Sequence, residues 1–447
     1  MKRIIPCLYS EFGRYIDKFR SIPYKLDLLK PVERRLLIAL FNIAKDHYVK
    51  SAKIIGEVIA KYHPHGDIST YGSLISLVQR NYAIGQGNWG LNLFEETEAA
   101  AYRYTKVKSN PAINKFAFEF IDFVTWDDPE NLSELQPLYL PSPFPVGLIG
   151  SNIIQGITFH STKIPRYSFT DLTTRLLGLL QKKKNPNFVV QTIIPKIPNC
   201  DIYEEHPGDF EKILTQGEGS IRIIPKFSIK SDGIYVYGQP PNGLTKIQNI
   251  IEENNDQIFK VIDLSSQIFE IVIIPVDKKN YNQTFIDTIT DLLTTTLNFS
   301  CKVVDDNGVV FVESIDKLLL DCYENWSLIY ETKLRYEKNE IEKKIKDLFI
   351  ISLIKELLHK YKIQNIDNLL QLFLNDYGSQ YPQITSDMVK SVCSKYKIQT
   401  LLDFNTNTKK YEDMVNEINN KLSNMQNSCF TKFQDIFNST NEILEKC

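Results

Sequence analysis

At 447 residues the chain is long enough for roughly two to four domains, and its 43% apolar and 24% charged residues are ordinary for a globular protein. No run of about 18 apolar residues occurs and Met1 is not followed by an apolar h-region, so neither membrane insertion nor export is expected. Seven scattered cysteines, at 7, 200, 301, 322, 393, 429 and 447, never form Cys-x-x-Cys, which argues against a zinc site or disulfide framework and for a reducing cytoplasm. The net charge of −2 hides an asymmetry: residues 1–110 carry 17 Lys+Arg against 10 Asp+Glu, and the remainder carries 35 against 44. A basic N-terminal quarter is what a DNA-binding face requires, although a basic surface with no partner fits the charge count equally well.

In chain order, residues 1–130 read as mainly helical. Leu28, Leu29, Val32, Leu36, Leu37, Leu40 and Phe41 recur at helical spacing. Ser51 reads as the N-cap of a second helix carrying Ile54, Ile55, Val58 and Ile59. Pro64 and Gly66 break that run, and Asp67 to Arg80 forms a further helix with Leu74, Ile75 and Val78 on one face. Two short helices across a tight turn predict a helix-turn-helix of the winged-helix type. From about 135 to 312 the texture is α+β. Prolines 137, 141, 143 and 145 punctuate a loop, then strands are expected at 220–227, 234–237 and 268–276, with a hairpin around Asn307-Gly308. Beyond 313, Tyr330, Leu334, Ile341, Ile345, Leu348 and Ser352 form one heptad run, and Tyr411, Val415, Ile418, Leu422, Met425 and Cys429 another. Two such runs around a compact helical segment (about 350–405) suggest an antiparallel coiled coil with a globular tip. The expected fold class is therefore multidomain α+β, divided at 1–135, 136–312 and 313–447.

The most informative feature is an ordered set: Lys61-Tyr62-His63-Pro64-His65-Gly66-Asp67, then Gly85-Gln86-Gly87-Asn88, then Arg103-Tyr104-Thr105. A tyrosine suits reversible phosphodiester cleavage because phenoxide leaves more readily than an alkoxide, so religation stays accessible. With a phenol pKa of about 10, it needs a base or a cation beside it. Arg103 can supply that cation and can also neutralise charge on a phosphorane-like transition state. Alone, each piece is weak: most tyrosines are core or surface, a His-Pro-His turn is usually structural, and Gly-Gln-Gly-Asn is a loop.

Together with Arg20-Ser21-Ile22-Pro23, Leu29-Lys30-Pro31-Val32-Glu33-Arg34-Arg35, 50–59 and Ala99 to Thr105, these motifs resemble the DNA-gate core of type IIA DNA topoisomerases, specifically the gyrase or topoisomerase IV A subunit. The resemblance implies that Tyr104 attacks DNA and becomes joined to a 5′ phosphate, with Arg103, Arg20 and His65 assisting as catalytic residues. It implies DNA contacts from Lys30, Arg34, Arg35, Lys50, Lys53 and His63. Ile157 matches, with a local gap, an isoleucine that wedges between base pairs. Residues 215–222 are similar to the family's tower-domain strand, and the coiled coil and its tip would form a second dimer gate. A tyrosine recombinase also uses a covalent tyrosine, but its usual Arg-His-x-x-Arg arrangement is missing from the sequence.

The resemblance further implies that the chain holds no metal itself. Mg²⁺ and ATP would sit on a B subunit in an A2B2 heterotetramer acting on double-stranded DNA, cytoplasmic and nucleoid-associated. With no basic-box β-propeller after the coiled coil, relaxation and decatenation are expected over supercoiling. The chain departs from the family in three places. The segment between Gln79 and Gly85 is short, and Asp-Gly-Leu/Phe-Lys-Pro has become Asp27-Leu28-Leu29-Lys30-Pro31. Ile68 and Gly72 stand where a serine and an acidic residue often anchor a quinolone-binding water–metal bridge, so low fluoroquinolone sensitivity is expected. The competing reading is a catalytically inactive, DNA-binding architectural homologue.

Overall fold

The computed structural model describes residues 4–90, 99–127, 134–238, 259–265, 269–361, 363, 365–396, 401–402 and 406–445. The chain forms two compact units, Met1–Ser327 with Asp435–Cys447, and Leu328–Gln434. Helices and small sheets are mixed throughout the first, consistent with an α+β fold; the second is helical. Among the described residues no helix is long and apolar enough to cross a membrane.

The first unit opens with α1 (Ile4–Ile16), which runs into a π-helical turn, Asp17–Ser21. Helix α2 (Pro31–Ile43) starts where Pro31 supplies a preset φ and the Glu33 carboxylate accepts the Lys30 N–H at 3.0 Å. Next come β1 (Val49–Lys50), α3 (Ser51–Lys61), α4 (Asp67–Gln79), β2 (Ala83–Gln86) and β3 (Lys106–Ser109). The three strands form an antiparallel sheet in the order β1-β3-β2, with Val49 opposite Val107 and Gln86 opposite Lys106. Helix α2 packs against both α3 and α4 and is buried almost all round, from Glu33 to Leu40. Leu36, Ile54, Val58, Leu74 and Leu77 are fully enclosed between these helices, each contributing about 1.5–3 kcal/mol of transfer free energy.

Two local expectations are corrected here. Ser51 does not cap α3: Lys50 occupies the cap position and Ser51 is the first helical residue, its hydroxyl directed to Thr105. The buried face of α4 is Thr70, Tyr71, Leu74 and Leu77, while Ile75 and Val78 lie at its partly exposed margin. Leu28 takes φ +51°, and its carbonyl lies so close to Gly147 that a Cβ there would come within 2.0 Å. Leu28 itself is fully buried.

Further along lie α5 (Pro111–Ala117), the pair β4 (Trp126–Asp127) and β5 (Gln136–Pro137), and the hairpin β6 (Ile153–Ile157) and β7 (Ser161–Pro165). After α6 (Phe169–Lys184), β8 (Cys200–Glu204), α7 (Asp209–Gln216) and β9 (Glu218–Pro225) follow. Strands β10 (Phe227–Lys230), β11 (Gly233–Val236), β12 (Phe259–Asp263) and β13 (Ile271–Pro275) make a four-stranded sheet in the order β10-β11-β13-β12. Its apolar face closes on the helix Gln283–Leu293 through Ile234, Val236, Phe259, Ile271, Ile273, Ile289 and Leu293. Strand β14 (Thr295–Ser300) completes a five-stranded sheet, β6-β7-β14-β9-β8. The expected hairpin is β15 (Lys302–Val304) and β16 (Val310–Val312), with Gly308 at φ +75°. The strand expected at 268–276 runs Ile271–Pro275; residue 268 lies outside the described residues.

A 46-residue helix, Ile315–Lys360, begins in the first unit and continues into the second. The second unit holds the helices Ile366–Tyr377, Ser386–Lys395 and Lys409–Ser423, around a core that includes Leu348, Ile354, Leu369, Phe373, Val389 and Leu401. In the heptad runs Tyr330, Leu334, Leu348, Ile418 and Cys429 are buried, whereas Ile341 and Ile345 are half-buried.

Candidate active site

Tyr104 sits in a tight turn just before β3 and is 66% exposed. Its backbone is fixed from four sides. Its own N–H donates to the Ala101 carbonyl at 2.8 Å. The following Thr105 is fully buried and receives the first turn of α3: the Ser51 N–H donates to the Thr105 carbonyl at 3.1 Å, and the two hydroxyls lie 2.7 Å apart. Tyr71 of α4 adds a 3.0 Å contact to the same hydroxyl and donates to the Ala100 carbonyl at 2.6 Å. On the fourth side Tyr102 donates to Asp67 Oδ2 at 3.0 Å. The turn is therefore rigid while the phenol remains open to solvent.

The glycines of Gly85-Gln86-Gly87-Asn88 explain that motif. A Cβ on Gly85 would meet the Trp89 indole at 2.3 Å, so only glycine lets Trp89 close over β2. Gly87 adopts φ +107° with the Thr105 Cα 3.6 Å from its would-be Cβ, so the backbone turns tightly beneath the Tyr104 loop.

The Arg103 guanidinium lies over the Tyr104 ring, 4.8 Å from its centroid. Hydrogen bonding from Arg103, and then its charge, hold the phenol below its ordinary value. Lys50 donates to the Arg103 carbonyl at 3.1 Å, which brings a second exposed cation to the loop. Lys53, one helical turn further on, is also exposed, as is Lys106. Arg20 is exposed in the turn Asp17–Ser21. Among the described residues no hydrogen bond, ion pair or ring contact joins Arg20 to Tyr104. The His63 and His65 rings meet edge to face, centroids 4.1 Å apart, with His63 buried and His65 half-buried.

The arginines of α2 point inward and find internal partners. Arg34 makes a two-pronged ion pair with the buried Asp27, Nε to Oδ2 at 2.6 Å and Nη2 to Oδ1 at 2.9 Å. Asp27 also accepts the N–H groups of Leu29 and Leu140, so it joins the Arg20–Pro31 region to the segment after β5. Arg35 is 1% exposed; it donates to Gln136 Oε1 at 2.8 Å and lies 2.7 Å from His63 Nδ1. A guanidinium only donates, so His63 Nδ1 is the acceptor and this buried ring is spent on the core. Burial lowers the pKa of Lys30, partly offset by Glu33. Burial by itself would raise Glu33, yet Arg80 and Arg166 hold its carboxyl at about 2. Burial pushes Arg166 down to about 10, so it stays charged at neutral pH while Glu33 offsets the cost of enclosing it.

Ile157 ends β6 and is 67% exposed at the tip of the β6–β7 hairpin. Ile68 is 82% exposed at the start of α4, and Gly72 is exposed one turn on. No sequence pattern marks Tyr71 and Asp17, ordinary polar residues whose partners are 29 to 143 positions away. Ser51 and Thr105 lie within named motifs, but their contact with each other spans 54 positions.

A solvent-open tyrosine on a rigid turn, with a guanidinium on its ring and further cations beside it, is equipment suited to attack on a phosphodiester. The matching family is that of the DNA gyrase/topoisomerase IV A subunit, whose model covers residues 20–445, and the chain belongs to that family. It is 29% identical to the DNA topoisomerase 4 A subunit of Rickettsia prowazekii over 367 residues, 75% of this chain and 48% of the relative. It is 26% identical to the protein of the same name from Rickettsia bellii over 444 residues, 90% and 58%. The DNA gyrase A subunit of Ureaplasma parvum is 27% identical over 444 residues, 91% and 51%. The chain thus spans about half the length of the curated relatives it matches.

Proposed function

We propose that the chain is the DNA-cleaving and religating part of a type IIA topoisomerase A subunit. The observation that carries this reading is the Arg103–Tyr104 pair: an exposed phenol on a braced turn, lowered in pKa by the arginine stacked on it. Tyr104 Oη attacks a backbone phosphorus, forming a 5′-phosphotyrosyl bond as the bond to the 3′ oxygen breaks. The electron pair of that bond leaves with the 3′ oxygen, which takes up a proton. Religation is the reverse, with the 3′ hydroxyl expelling the phenol. Arg103 and Arg20 stabilise the charge that grows on the non-bridging oxygens, and His65 orients the phosphate or moves the proton.

In this reading α2, α3 and α4 with the β1-β3-β2 sheet are a winged-helix module. The β10-β11-β13-β12 sheet belongs to a tower, and the helices after 313 form a dimer gate. Lys50 and Lys53 contact DNA backbone, Ile157 wedges between bases, and Arg34, Arg35 and His63 act indirectly by fixing the shape of α2. Lys30, half-buried with its ammonium group partly desolvated, sits at the margin of that face. Magnesium and ATP are assigned to a B subunit, with two copies of each chain in the assembly. Among the described residues here no group of three or more His, Cys, Asp or Glu comes together, and no step above passes through a metal. Relaxation or decatenation is the proposed outcome. The test is cleavage of plasmid DNA by the chain with its B subunit, stopped with detergent and treated with protease. Linear DNA with protein-blocked 5′ ends from wild type, and none from Tyr104→Phe, is the expected result. Tight DNA binding and a formed complex without cleavage would establish the architectural alternative.

A further inference from the structure

The β6–β7 hairpin tip rests on the N-terminal segment through contacts that the cleavage chemistry does not use. Asp17, in the turn that carries Arg20, is 1% exposed. Its carboxylate accepts from Thr158 Oγ1 at 2.7 Å and lies 2.7 Å from His160 Nδ1. A carboxylate enclosed to this extent needs such donors, since burying it alone is costly. One residue before Ile157 the approach is closer still: a Cβ on Gly156 would come within 2.3 Å of the Ser21 carbonyl, next to Arg20. On the other side of the tip Phe159 meets Tyr9 and Phe12 edge-on, at 5.0 and 6.1 Å between centroids, and covers Gly13. Ile157 and Arg20, in contrast, both remain exposed.

We propose that Asp17 is a positioning residue: it clasps Thr158 and His160 so that the hairpin tip and the Arg20 turn form one rigid jaw. Ile157 and Arg20 then engage the same duplex at a fixed separation. The clasp rests on the assignment of Ile157 as a base-pair wedge and Arg20 as a phosphate contact. A jaw explains why polar side chains on the hairpin face inward at Asp17 while its large apolar residue is left in solvent. It also explains Gly156, the one residue type that allows the strand to abut Ser21. Displacing a positioned group by about 1 Å can cost about 100-fold in rate, so loosening the jaw should be felt in cleavage although Asp17 touches no reacting atom.

The experiment uses the chain assembled with its B subunit, bound to a duplex carrying a donor and an acceptor fluorophore at its ends. Bending, non-covalent affinity and covalent cleavage are measured for wild type, Asp17→Ala, Thr158→Val, Ile157→Ala and the double variant Asp17→Ala/Ile157→Ala. The expected result is that Asp17→Ala lowers bending and lowers cleavage by about 100-fold, while affinity changes much less. Thr158→Val, which removes one surface donor and keeps the fold, shows a smaller loss in the same two readouts. In the Ile157→Ala background Asp17→Ala has little further effect on bending, because both act on bending through the wedge, and the cleavage loss that remains runs through Arg20. Unchanged bending with multiplicative losses in the double variant would overturn the clasp and leave Asp17 a general stabiliser. Wild-type cleavage and bending in Ile157→Ala would overturn it through its premise. Absence of cleavage by wild type itself would instead strike the proposed function, since the clasp concerns only how a cleaving chain holds DNA.

Discussion

Two sets of arginines lie within the first 110 residues and are used in opposite ways. Arg103 is exposed, stacked on a phenol and backed by Lys50, whereas Arg34 and Arg35 are buried and fully committed to Asp27, Gln136 and His63. Both sets belong to segments with the same family likeness, and each arginine counts alike in the basic charge. The difference lies in the helix that carries them. Helix α2 is enclosed by α3 and α4, so its charges must find internal partners, while the Tyr104 turn is braced through its backbone, Tyr102 and Thr105 and leaves Arg103 outside. A basic motif is therefore evidence of DNA contact only where the fold leaves the charge in water.

Substitutions can separate the two sets. The largest effect is expected from Arg103→Gln: a loss of about 10²–10³ in the rate of covalent cleavage, the scale for removing one preorganised charge from a transition state. Because Arg103 lowers the Tyr104 pKa, its removal raises that pKa, and the cleavage–pH profile should move to higher pH. A profile that stayed in place would mean that Arg103 acts on the phosphate alone. Melting temperature should not move with this exposed residue.

Arg34→Ala should show the reverse pattern. Stripping one partner from a buried pair costs about 3–5 kcal/mol, read by urea unfolding, and the salt dependence of DNA binding by the folded fraction should be unchanged. A lowered salt slope with intact stability would restore Arg34 to the DNA face. Glu33 offers a pH test of the same interior. Its pKa falls from 4.5 to about 2 on folding, so its contribution is complete above about 4.5 and is lost as pH drops toward about 2. The stability gap between wild type and Glu33→Gln should therefore narrow across that window; a gap constant with pH would show that Glu33 carries no excess charge stabilisation. The smallest effect is expected from Lys53→Ala, which should weaken DNA binding uniformly across sequences and lower the salt slope by about one.

Much of this was legible in the sequence because it depends on local pattern. The 3–4 spacing through Leu36, Ile54 and Leu74 placed the helices, Asn307-Gly308 placed a hairpin, and the order of motifs singled out Tyr104. What escaped was set by distance along the chain. Ser51 reads locally as a cap, yet a hydroxyl 54 residues away claims it. The partners that Arg34 and Arg35 find inside the fold, Asp27 and Gln136, are not marked by any local pattern. Asp17 carries no motif at all, and its role depends on a hairpin more than 140 residues later. Leu28 shows the opposite case, where a local rule fails openly: a leucine adopts φ +51° with its side chain wholly buried.

The most direct test of the central claim is to find the residue that carries the DNA. Covalent complex would be trapped with detergent, digested with nuclease and trypsin, and analysed by mass spectrometry. Cleavage after Arg103 and Lys106 leaves Tyr104-Thr105-Lys106, and the expected result is a nucleotide joined through its 5′ phosphate to Tyr104 in that peptide. A nucleotide on any other residue, or a trapped complex with this peptide unmodified, would contradict the assignment of Tyr104 as nucleophile.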